Sequence, residues 1–370
     1  MDDESKAIVV ASSSTITYLF DPEGDVVFTI KDVPNHLPDC LSDVDPSLLS
    51  GLAEQRDINK TASVADSPHQ RILVIRASSK HLMLSSPQFQ RKLKKKPSKG
   101  KELGKELGKE LGKEDKVKTR IEWDAQAFLI LMAILHGRHG LVPHELSVAV
   151  FMEMALLVDY YECYESVEVF SDLWFAGLRK NWPCYSQDPM GVLFISWVFQ
   201  KEEIFKTITR EIILDSDQNI TAPTSRLPSG IVVTLKRKRE VYMREVIDRL
   251  HCRLQQLLEE EVSGQCCYEC CCLRVGALSR TMHRLSILSP KPKPPFPNIT
   301  LLGICTALVE MEDLRRMRQA SAKWHCYIHG CQMLLGDSPL QFCNSVVGLN
   351  IEDWTQLRKT NSRKRPRALE

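Results

Sequence analysis

Cys266-Cys-Tyr-Glu-Cys-Cys-Cys272 is the densest run of metal-binding side chains in this chain. Cys267 and Cys270 have the CxxC spacing at which two thiolates take neighbouring corners of a zinc tetrahedron. Two more ligands are needed, and His325, Cys326, His329 and Cys331 could supply them across about 55 residues. Structural zinc sites repeat the tight pair at defined spacing, and this chain does not do so cleanly. Reduced thiols in the core or on the surface are therefore the favoured reading, with Cys267 and Cys270 as weak metal candidates. A thiol nucleophile needs a base and a group that orients the base. With 13 Cys and 10 His, chance pairs are expected, so none is singled out.

The other candidates resolve in the same direction. Glu-Leu-Gly-Lys repeats from Glu102 to Lys113. A phosphate-cradling P-loop needs glycines five residues apart, the second followed by Lys and then Ser or Thr. Here the glycines recur every fourth residue, and each Lys is followed by Glu. Glycine at that density costs a helix about 1 kcal/mol per position, so the repeat reads as a flexible charged linker. His136 and His139 flank Gly137 and Arg138 at a helix end, where capping or exposure is the plain reading. Lys236-Arg-Lys-Arg239 lies inside a helical pattern and is balanced by Glu240 and Glu245, as on a solvated face. Arg363, Lys364, Arg365 and Arg367 form a second basic run in the tail, a candidate nuclear import signal. No constellation describes an enzyme, and no cofactor is expected.

The elements around these residues are more informative. Asp25-Val-Val-Phe-Thr-Ile30 alternates with period two, which puts Val26, Phe28 and Ile30 on one face. Ile16 to Ile30 reads as two short strands about the Asp21-Pro-Glu-Gly24 turn, where glycine accepts positive φ. Arg71 to Arg76 is a strand leading into a helix with serine as N-cap. Pro87 interrupts that helix, and Phe89 and Leu93 then lie four apart. Thr119 to Trp123 is a further strand. Asp124 caps an apolar helix, buried all round, that Gly137 stops. Ser147 to Tyr160 is another nearly all-apolar helix.

From residue 166 the pattern is helical. Met243, Ile247, Leu250, Leu254 and Leu257 form a stripe on a long helix, read as core packing in preference to a self-pairing seam. Pro290 to Pro295 reads as a stiff extended connector.

Composition sets the compartment. The N-terminus is acidic where a secretory signal needs basic residues, and no run reaches the roughly 18 apolar residues of a membrane span. With a net charge of +2, a nucleic-acid partner is not favoured. A cytoplasmic or nuclear protein with reduced cysteines is expected.

Four of these stretches, in order, resemble a known family. Asp25-Val-Val-Phe followed by Ser79-Lys-His-Leu-Met-Leu-Ser-Ser-Pro-Gln-Phe89 is similar to the opening of a BTB/POZ domain. There a strand reading Asp-Val-x-Phe precedes a helix reading His-x-x-x-Leu-x-x-x-Ser-x-x-Phe. His81, Leu82, Leu84, Ser85, Ser86 and Phe89 fit it with one residue of slack. Trp123-Asp-Ala-Gln-Ala-Phe-Leu129 and Val158-Asp-Tyr-Tyr-Glu-Cys-Tyr164 resemble the elements that follow. The set looks closest to BTB proteins of filamentous fungi, in which a helical region follows.

The resemblance implies an α+β fold with a small sheet of three short strands plus helices. It implies a disordered arm over residues 1–18, and a BTB/POZ domain over 19–165 with disordered insertions at about 32–69 and 94–118. A helical region over 166–350 and a basic disordered tail over 351–370 complete the expectation. Asp25, Val26, Phe28, His81, Leu82, Ser85 and Phe89 would form the fold or its groove. The implied function is non-enzymatic protein–protein interaction, with the partner docking in an apolar groove and on a strand edge. Self-association through the BTB face is one form of it. Service as a substrate adaptor of a cullin-type ubiquitin ligase is one alternative, and a nuclear transcription cofactor is another.

Overall fold

A computed structural model describes residues 8–12, 15–31, 33, 72–94, 117–180, 188–259, 268–320 and 339–354. The expected insertions and the basic tail fall almost wholly outside these residues. The fold is mixed α+β. The chain divides into two compact units, Met1–Asp188 and Pro189–Glu370.

The first unit is built on a five-stranded sheet in the order β1-β2-β4-β3-β5. The strands are β1 (Ile8–Ser12), β2 (Thr15–Leu19), β3 (Val26–Lys31), β4 (Ile72–Ala77) and β5 (Val117–Arg120). Residues expected in a disordered arm therefore include an edge strand and its neighbour, and the sheet has more than three strands. Ile8-Val-Val-Ala has the β-branched composition a strand favours, and it pairs antiparallel with β2.

The turn after β2 does not close a hairpin. Both β2 and β3 pair with β4, β2 parallel and β3 antiparallel, so β4 lies between them. Gly24 is needed there for space and not for positive φ. A Cβ would sit 2.5 Å from the Ala77 carbonyl oxygen at the end of β4. Strand β5 runs parallel to β3 and ends at Arg120, short of the expected Trp123. The chain leaves the sheet because Trp123 turns to meet Tyr160, with ring centroids 5.1 Å apart.

Helices α1 (Ser79–Ser85), α2 (Pro87–Leu93), α3 (Ala125–Leu135), α4 (Val148–Tyr161) and α5 (Tyr164–Lys180) complete the unit. Asp124 accepts the Ala127 N–H at 2.8 Å and caps α3, which is buried along nearly its whole length. Gly137, at φ +69°, ends it. Helix α5, placed by sequence in the helical region beyond 165, belongs to this first unit. Its Trp174 is fully buried, packs edge-on to Phe151, and donates from Nε1 to the Pro143 carbonyl at 2.8 Å.

In the second unit the described elements are all helical. They are α6 (Pro189–Val198), α7 (Glu202–Asp215), α8 (Ser229–Glu259), α9 (Tyr268–Arg284), α10 (Leu301–Ala320) and α11 (Pro339–Ser345). The stripe from Met243 to Leu257 is buried inside this unit and leaves no seam for a second copy. The Pro290–Pro295 segment bends at Pro290 and ends in a turn at Pro294 and Pro295, directly before the buried Phe296. Residues 351–354, assigned by sequence to the tail, are ordered, and Ile351 is buried. Cys305 and Cys343 are joined by a disulfide, so the thiols are not uniformly reduced. Packing of α11 on α10 brings the two together across 38 residues of sequence. No described helix is long and apolar enough to cross a membrane.

Candidate protein-docking site

The family-like residues meet where β3, α1 and α2 join. Val26 and Phe28 point from β3 into the core, as period two requires, and both are buried. Phe28 lies edge-on to Phe128 at 5.2 Å and tilted against Phe89 at 5.9 Å. Phe89 in turn stacks on Tyr161 with centroids 4.1 Å apart. These four rings come from β3, α2, α3 and α4, so one aromatic cluster fixes four elements. Such pairs contribute about 0.5–1.5 kcal/mol each beyond area burial. Burial pushes the Tyr161 hydroxyl far above its ordinary pKa, and it stays protonated.

Polar side chains lock the same junction. Ser78 occupies the N-cap position of α1, but its side chain makes no cap bond. The cap comes from Asp25, whose Oδ1 accepts the Ser79 N–H at 2.8 Å. Partial burial pushes the Asp25 carboxyl upward. Hydrogen bonds from Ser79 and the charge of Lys80 outweigh it, and the net pKa is lowered.

Ser85, one of the sequence candidates, is only half-buried. The fully buried Ser86 does the work. Its Oγ donates to the Tyr161 carbonyl and accepts the Phe89 N–H, so it caps α2 and ties it to α4. Leu82 is fully buried. Outside the core, Arg91 pairs with Glu162 at 2.7 Å and Lys92 sits over the Tyr160 ring.

Of the two plain readings of His136, capping and exposure, the structure bears out the first. His136 is not solvent-exposed. It caps α3 and is buried, with its ring 5.2 Å from that of the exposed His81. Its Nε2 accepts the Ser78 N–H at 3.0 Å, and Nδ1 lies 2.8 Å from the Met132 carbonyl. An acceptor Nε2 requires the proton on Nδ1, which then donates to Met132. The ring is held neutral, joining α3 to the start of α1. Burial, with the charges of His81 and Arg138, lowers its pKa. The Met132 bond and Asp21 oppose that shift. No sequence signal distinguished this histidine from a surface cap, since its partner lies 58 residues away.

The surface of this unit offers Leu84 on α1, 88% exposed, and Val169 and Leu173 on α5, 77% and 42% exposed. Two concavities of about 270 and 240 Å³ lie in the second unit, the first lined by Asp217, Asn219, Lys236 and Glu240, the second by Arg244, Asp248 and Lys291. Neither belongs to the first unit, where the resemblance implies an apolar groove.

Cys267 lies outside the described residues, and Cys270 is described only as a backbone position in α9. His325, Cys326, His329 and Cys331 also lie outside them, as do Arg363, Lys364, Arg365 and Arg367. Among the described residues no group of three or more His, Cys, Asp or Glu could hold a metal ion.

Arg239 departs from the solvated-face reading of its cluster, which Lys236 and Arg237, both exposed, still fit. It is 2% exposed, and its guanidinium donates to the carbonyls of Ser216, Pro295, Phe296 and Ile299. No family model, curated protein or solved structure matches this chain.

Proposed function

We propose that the chain is a non-enzymatic protein–protein interaction protein acting through a BTB/POZ-type domain. The observation that carries this reading is the bond from Ser79 to Asp25. It joins the Asp-Val-Val-Phe strand to the His-Leu-Met-Leu helix, two stretches that resemble the family separately and meet in one core. The exposed Leu84, Val169 and Leu173 support docking by apolar contact, since burial of such side chains supplies the free energy of most protein association.

The test is affinity purification of the tagged full chain, with Leu84→Asp and Val169→Asp/Leu173→Asp variants beside it. A chain that co-purifies with the wild type and is lost from one variant, with folding unchanged by circular dichroism, is the expected outcome. No co-purifying chain and no self-association by light scattering would sink the reading.

A second reading keeps the fold and makes the chain a substrate adaptor for a cullin-type ubiquitin ligase. The helical unit that follows supports it. Direct binding of a purified cullin N-terminal domain is the expected observation, and its absence at micromolar concentrations removes this alternative alone.

A further inference from the structure

The C-terminal part of the second unit, residues 339–354, is a hook fastened to α7 and α8 by polar bonds at one short stretch. Arg210 on α7 donates to the Cys343 carbonyl at 2.8 Å and to the Val346 carbonyl at 3.0 Å. Thr209 accepts the Leu349 N–H at 2.9 Å. Tyr242 on α8 accepts the Val347 N–H at 3.4 Å, and its ring meets Phe342 edge-on. Gly348 lets the hook pass close to α7: a Cβ there would fall 1.9 Å from the Lys206 carbonyl oxygen.

These bonds are individually modest, and they cluster within six residues of Cys343, where the disulfide to Cys305 on α10 enters. Among the described cysteines the pairing is selective. In the same unit Cys252 and Cys272 remain exposed thiols. What distinguishes Cys305 and Cys343 is that both are buried where α11 packs on α10.

We propose that the Cys305–Cys343 disulfide is a redox clasp that holds the hook on α7 and α8, and that its reduction frees the hook while the helices beneath stay folded. The oxidant is a low-molecular-weight disulfide such as glutathione disulfide. The Cys343 thiol loses its proton and attacks one sulfur, forming a mixed disulfide and expelling one thiolate. The Cys305 thiolate then attacks the Cys343 sulfur and expels the second. Two protein thiols are oxidised, one small disulfide is reduced to two thiols, and a dithiol reductant runs the exchange backwards. Closure is favoured because packing has already brought the two sulfurs together.

The experiment is hydrogen–deuterium exchange by mass spectrometry on the full chain. Glutathione disulfide is compared with dithiothreitol, and Cys305→Ser is run under both. In oxidised wild type a Cys305–Cys343 linked peptide is expected. On reduction the amides of Val347 and Leu349 should exchange at least tenfold faster, with α8 unchanged. Cys305→Ser should exchange fast in both buffers. Three results overturn the clasp: no linked peptide in the oxidised protein, equal exchange in both buffers for the wild type, or a rise across α8 as large as that in the hook. The wild-type comparison decides even if the variant fails to fold.

Discussion

The two units solve one problem in different ways. Each must bring elements distant in sequence into register and leave no buried polar group unpaired. The first unit uses short side chains at crossings: Asp25 on Ser79, Ser86 on Tyr161 and Phe89, His136 on Ser78 and Met132. Each satisfies one or two groups, and an aromatic cluster packs over them. The second unit concentrates the task in Arg239, which gathers carbonyls from the end of α7 and from the turns before α10. Helix ends leave carbonyls without internal partners, and one planar cation with five N–H donors answers several at once. The sheet-based unit gives each side chain one or two such bonds, whereas in the helical unit Arg239 alone makes four, beside smaller contributions from Thr209, Arg210 and Tyr242.

That contrast predicts a graded series of effects. The largest falls on Arg239→Met, which keeps most of the volume and removes all four bonds. Each stranded carbonyl costs about 1–3 kcal/mol, and some regain water, so a net loss of about 3–5 kcal/mol is expected in urea denaturation. A loss under about 1 kcal/mol would show that the second unit does not depend on this hub.

Ser86→Ala comes next. It strands the Phe89 N–H and the Tyr161 carbonyl in the core, and a loss of about 1–3 kcal/mol is expected by the same measurement. Parity with Arg239→Met would erase the contrast.

His136 gives a pH test. Its folded pKa lies below the ordinary histidine value of 6.5, so the unfolded chain binds the proton more readily. Its contribution is complete above about pH 6.5 and declines as pH falls toward the folded pKa. The slope is at most about 1.4 kcal/mol per pH unit for one proton. His81, Arg138 and Asp21 are the charges that face the ring. Chemical denaturation between pH 5 and 8 should show this slope in the wild type and lose it in His136→Gln. An unchanged slope would assign it to other groups.

The smallest effect is Asp25→Ala, the loss of a helix cap near the surface, costing about 0.5–2 kcal/mol. Because the Asp25 pKa is lowered on folding, its contribution is present at neutral pH. It fades as pH falls through and below the ordinary carboxylate range. Thermal melts at pH 7 and pH 3 should therefore separate the variant from the wild type more at the higher pH.

Much of this was legible from residue patterns. Val26, Phe28 and Ile30 alternate and are buried, and the all-apolar run after Asp124 is the buried α3. Helical spacing located α4 and the buried stripe of α8, and read the chain beyond residue 166 as helical. The strand order was not legible, because Asp-Pro-Glu-Gly signals a turn equally well whether or not another strand slips between its arms. Nor was the choice of Ser86 over Ser85. Both fit the family spacing, and only the approach of Tyr161 decides between them. Arg239 looked like its neighbours because charge patterning along a helix does not say what lies opposite.

Local chemistry therefore settled most of the strands and helices, since periodicity and capping act over a few residues, but it left β1 inside the expected disordered arm. Tertiary structure alone settled which polar side chains are buried, which cysteines pair and where β4 inserts. Those outcomes depend on groups tens of residues apart, and the free energy that selects them exists only once the chain has closed on itself.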